Sequence, residues 1–262
     1  MISLVCGMLL LTGAYPLFVA WRANRRTALS HAVGWALASW AAWVVALLRA
    51  GLRPEAEPAL APYLALCLTG CAAVAVLGAR RPGVAAWDFV VGGLLAVLLL
   101  PVAEGWFSGG ALRLEWFRVV LVGGVLAVGV LNYLPTRLGP AAACLAVGGG
   151  VELFAVAESE RVRSFVYLGW LALVLTPWVA YGEIRRRAPA RTELDRVWLD
   201  FRDRFGLVWG QRLREQFNRS AAHAGWPVVL TWQGMRWSSR EPPPEEMLAT
   251  MRALMKRFGP ET

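Results

Sequence analysis

Lysine is almost missing from this chain: of 27 basic residues only Lys256 is a lysine, and the other 26 are arginine. Histidine occurs twice, at His31 and His223, and cysteine four times, at Cys6, Cys67, Cys71 and Cys144. Each scarcity excludes a chemistry. A retinal Schiff base needs a lysine in a membrane helix, and Lys256 lies in the polar tail. No CxxC or HExxH spacing is present, which removes the usual zinc sites. Cys67 and Cys71 share one helix face at i, i+4, but no Met or His is arranged with them to complete a soft-metal site. They read as small apolar residues. Walker and GxGxxG motifs are missing too. Ser220 and His223 stand three apart, without the acid and oxyanion hole that a hydrolase needs. No catalytic, cofactor or metal residue is therefore assigned, and the chain is not read as an enzyme.

Charge is the other deficit. Charged residues make up 17% of the chain and hydrophobic ones 57%, with mean hydropathy +0.48. Soluble domains carry about 25% charge. So little polar surface is tolerable where lipid is the solvent. Seven apolar runs account for it, at residues 2–20, 31–48, 60–79, 84–103, 117–134, 139–157 and 164–183. At 1.5 Å per residue, runs of about 18–20 residues cross a hydrocarbon core of about 30 Å. Polar stops separate them: Arg22, Arg25 and Arg26; Arg53 to Pro58; Arg80-Arg81-Pro82-Gly83; Pro135-Thr136-Arg137. Residues 105–116, with Trp106, Phe107 and Trp116, read as an interfacial loop. Thr176-Pro177 predicts a kink in the last run. No positive residue precedes the first run, so it reads as a retained helix rather than a secretory signal.

Arginine bias sets the orientation. With the N-terminus outside, ten arginines flank the cytoplasmic ends and six the outer ends. The clusters at 22–26, 80–81 and 185–187 all fall on the cytoplasmic side. The strong arginine skew is partly a matter of coding habit. The predicted location is the bacterial inner membrane, with the C-terminus in the cytoplasm.

After the last run comes a different kind of sequence. Residues 185–191 read as a basic linker and 192–262 as a cytoplasmic mini-domain, with 1–184 as the transmembrane bundle. Leu194, Val197, Trp198, Phe201, Phe205, Val208 and Trp209 form one helical face. Leu213 and Phe217 drift off it, which places a bend at Gly206 or Gly210. Val228 to Trp232, Gln233-Gly234, and Met235 to Trp237 read as a hairpin. Pro242-Pro243-Pro244 then separates a final helix with the stripe Met247, Leu248, Met251, Leu254, Met255 and Phe258. The fold class predicted is an all-α polytopic membrane protein, a bundle of about seven transmembrane helices with a small α+β appendix. From Arg185 onward the tail has fifteen basic and nine acidic residues. Acidic residues interleave with the basic ones, so no nucleic-acid stripe forms.

Ionisable residues within membrane helices are candidate functional groups because they are costly there. Glu152, behind Gly148-Gly149-Gly150, is the deepest, and its structural alternative is a pair with Arg118. Asp88 lies near a helix end, and Asn132 suits a hydrogen bond between helices. Met247, Met251, Met255 and Phe258 are the candidate partner surface, with packing inside the tail as the structural alternative. The expected function is a non-catalytic subunit, scaffold or assembly factor of a membrane complex. Its partners are the bilayer and a protein met through the tail or bundle, and no cofactor is expected. The alternative is a small-solute transporter using Glu152 and the glycine-rich sixth helix.

Overall fold

A computed structural model describes residues 2–52, 59–80, 84–110, 112, 114–158, 165–186, 190, 192–238 and 245–259. The turn at Arg53 to Pro58, Arg81-Pro82-Gly83, Arg187, Arg191 and the Pro242-Pro243-Pro244 spacer lie outside the described residues. The protein is 82% helical with one two-stranded sheet.

The first apolar run is two helices, α1 (Ile2–Thr12) and α2 (Ala14–Asn24), rather than one. Pro16 is the cause. It offers no N–H to the Thr12 carbonyl four residues back, and its ring crowds that carbonyl. Next come α3 (Ser30–Leu52), α4 (Leu60–Ala75, extended by a 3-10 turn to Gly78), α5 (Val84–Leu98) and α6 (Leu100–Ser108). The α5–α6 break precedes Pro101, and α6 takes up residues 105–108 of the predicted loop. α7 (Trp116–Tyr133) and α8 (Gly139–Ala157) follow the predicted fifth and sixth runs. α9 (Val166–Arg185) carries Pro177 within its length.

Six of these segments are long and apolar enough to cross a membrane: α1 with α2, α3, α4, α5 with α6, α7, and α8. The seventh expected run, now α9, is not among them, because tryptophan, tyrosine, proline and Glu183 dilute its hydropathy. It is nonetheless integral to the architecture. α9, α1, α3, α4, α7 and α8 pack each on the next, and α8 closes back on α9, so the six helices form a ring. The α8–α9 seam is close because each helix presents a glycine to the other. A Cβ on Gly148 would lie 2.6 Å from Leu173 Cγ, and one on Gly169 2.9 Å from Val151 Cγ1. α2 bridges α3 and α9, α5 lies outside the ring against α4, and α6 continues from α5, its Glu104 paired with Arg118 of α7.

The tail comprises α10 (Glu193–His223), β1 (Val228–Thr231), β2 (Gly234–Trp237) and α11 (Glu245–Met255), which ends in a 3-10 turn to Phe258. Thr192 and Asp195 start α10 with a reciprocal capping box. The strands are antiparallel with Val228 opposite Trp237 and Thr231 opposite Gly234. The turn is therefore Trp232-Gln233, one residue earlier than predicted. Trp232 leaves the strand because its indole N–H donates to the Pro135 carbonyl at 2.7 Å.

The tail does not stand apart from the bundle. One apolar core joins Trp198, Phe201, Phe205, Trp209, Met247, Met251 and Phe258 to Ala28, Leu29, Ala32, Cys71, Ala75, Val76 and Ala79. Phe258 sits edge-on to Phe201, Phe205 and Trp209, with centroids 4.9–5.2 Å apart. Its carbonyl accepts the Ala28 N–H at 3.3 Å. We call this end of the bundle the tail side and the opposite end the far side.

Candidate functional site

The predicted break in α10 falls at Gly206, whose backbone (φ 78°, ψ −166°) leaves the helix. A side chain at φ 78° is strained, and here a Cβ would also lie 2.2 Å from Asn132 Nδ2. The kink frees backbone groups, and the end of α7 satisfies them. Asn132 Oδ1 accepts from the Val208 N–H at 3.0 Å, and its Nδ2 donates to the Phe205 carbonyl at 3.5 Å. The Tyr133 hydroxyl donates to the Arg204 carbonyl at 2.9 Å. Asn132 thus joins two helices, and the partner helix belongs to the tail.

The other candidates are dispersed. Glu152 is buried in α8 near the Trp170 side chain, and its Oε1 has no partner among the described residues. Arg118, the expected partner, pairs with Glu104 at 2.7 Å instead. Asp88 meets the Nδ1 of His31 across the α3–α5 gap. Met247 and Met251 are wholly buried, Phe258 is nearly so, and Met255 is partly buried against the same core. The stripe faces the tail interior and the bundle. These residues do not converge on one site.

What does converge was not singled out from the sequence. The tail-side half of the ring holds a half-open cavity of about 1320 Å³, bordered by α2, α3, α4, α7, α8 and α9 and by α10. Small residues make the room: Ala32, Ala36, Ala72, Ala73, Ala141 and Ala142 all face it. Packed interiors leave few voids larger than a water molecule, so a wall of alanines this extensive is a construction, not slack. Along α3 the lining runs from Ala32 to Trp43, a depth of about 17 Å at the helical rise.

The floor of the cavity is chemically closed. The Thr69 hydroxyl donates to the Ala65 carbonyl at 2.7 Å and accepts from the Trp43 indole at 3.0 Å. Ser39 and Thr69 share a hydrogen bond of 2.7 Å, for which Ser39 must supply the proton. Trp40 donates to the Leu10 carbonyl at 3.0 Å. No O–H or N–H of these four side chains is left for a guest. The mouth is the opposite. Arg137, Arg185, Arg186, Arg196 and Arg204 line it together with Glu183, Asp200 and Asp203. Glu183 pairs with Arg186, Asp200 with Arg204 at 3.0 Å, and Asp203 with Arg202 at 2.6 Å. Arg137 donates to the Glu183 carbonyl at 2.6 Å. Glu152 does not line this cavity. Among the described residues no cluster of three or more His, Cys, Asp or Glu is placed to hold a metal ion.

No family model, curated protein or solved structure matches the chain.

Proposed function

We propose that this protein is a non-catalytic membrane-embedded binding protein that holds an apolar or amphiphilic guest inside the tail-side half of its helical ring. The observation that carries this reading is the alanine-walled cavity beneath α10. Its volume exceeds the roughly 300–1,000 Å³ of ordinary small-molecule pockets, and its walls are apolar. In this reading α9 is a seventh spanning helix, the membrane is the bacterial inner membrane, and the tail lies in the cytoplasm, as the arginine bias favours. A role as the binding subunit of a larger complex is compatible with the same cavity. A tail interface for a partner would use surfaces other than the buried methionine stripe.

Two measurements test this. Native mass spectrometry of the detergent-purified full chain is expected to find one non-covalent adduct per chain, lost when Ala36→Trp fills the cavity. An empty wild-type protein defeats the reading. For topology, a single cysteine at Ala190 in a cysteine-free background should resist a membrane-impermeant thiol reagent in intact cells, and one at Gly109 should react. The reverse pattern inverts the orientation.

A further inference from the structure

The two ends of the cavity differ in a way that names its guest. Resting on the reading that the cavity holds a ligand, we propose that the ligand is an anionic membrane lipid, its headgroup at Arg185 and Arg196 and an acyl chain in the alanine-walled lumen. The lumen accounts for the chain. Its polar floor groups are engaged with one another or with backbone carbonyls, so the deep end offers a guest no free donor and suits a methyl terminus. Its depth of about 17 Å along α3 covers one leaflet, about half of a 30 Å hydrocarbon core. A lipid can therefore keep its ordinary depth while leaving the bulk bilayer.

The mouth accounts for the headgroup. Five arginines face three carboxylates there, and all three carboxylates are paired. Among the described residues Arg185 and Arg196 have no carboxylate partner. Arg185 lies 4.7 Å above the Tyr181 ring, and Arg196 is exposed on the first turn of the roof helix. Both line the same opening, one at the end of α9 and one on α10. An anion between them would be held by both walls at once, and guanidinium groups suit phosphate oxygens.

The test uses the full chain in mixed micelles of equimolar phosphatidylglycerol and phosphatidylcholine with matched acyl chains, with bound lipid counted by native mass spectrometry. Wild type should retain one phosphatidylglycerol, preferred about thirtyfold if each arginine acts with the strength of a basic residue at an anionic surface. Arg185→Glu with Arg196→Glu, both on exposed side chains, should abolish the preference while a lipid is still bound. Ala36→Trp should abolish binding, and Ala180→Trp, on the other wall, serves if the first variant does not fold. Preference that survives the blocking variant belongs to lipid around the bundle and overturns the inference. A lumenal lipid bound without headgroup preference overturns it too, yet leaves the binding-protein reading standing. No retained lipid of either kind, with another adduct present, overturns it as well. A wild type with no adduct at all defeats both.

Discussion

The far half and the tail-side half of the ring are both built from apolar helices, yet one is full and the other hollow. In the far half, Trp43, Leu47, Tyr63, Leu66 and Leu153 meet in a dense cluster. In the tail-side half the same helices present alanines, and a lumen remains. Hydropathy measures affinity for lipid, and alanine and leucine both satisfy it. Side-chain volume decides whether a ring of helices has a middle. The far half holds the helices together, which frees the tail-side half to stay open.

The largest effect should come from breaking the roof. Met251→Asp buries a carboxylate with no partner, a cost of several kcal/mol. Limited proteolysis should then cut throughout the tail while α1 to α9 remain protected; a protected tail would mean α11 is not needed to hold it. The two halves are compared directly by a pair of opposite changes. Leu47→Ala in the far half should cost about 2–5 kcal/mol. Ala36→Leu adds volume to the lumen and should cost less than about 1 kcal/mol, because nothing must move. Melting temperatures in one detergent decide it, and equal losses would mean that both halves are packed. Asn132→Leu should cost about 2–4 kcal/mol, since two backbone groups at the α10 kink lose their partner. Hydrogen exchange at Val208 should rise in that variant. The smallest effect belongs to Glu152→Gln, within about 1 kcal/mol, because the amide has the shape of the carboxyl it replaces and carries no charge to bury. A lumenal ligand should be retained; its loss would tie Glu152 to the cavity after all.

Much of the fold was legible in local sequence. The apolar run at 139–157 placed α8, and the drift of Leu213 and Phe217 off the aromatic face placed the break near Gly206. Pro16 and Pro101 carried the signal for the split helices, but their runs are apolar enough to mask it. The site was not legible. Asn132 and Phe205 are 73 residues apart in sequence, and nothing periodic links them. Ala36, Ala73 and Ala142 each look like filler in a membrane helix; only their arrival on one lumen gives them meaning. The arginines at 185 and 186 were read as topology signals, which does not conflict with their place at the cavity mouth.

The borrowed turn at Gly206 has a consequence for the order in which the molecule is made. α10 is interrupted where the Val208 N–H and the Phe205 and Arg204 carbonyls depend on Asn132 and Tyr133, residues synthesised earlier. A growing chain therefore meets its template before it needs it. Expressed by itself, residues 192–262 would lack both the donor and the acceptor that hold the break open. That fragment would be a different molecule, and the roof takes its shape only on a finished bundle.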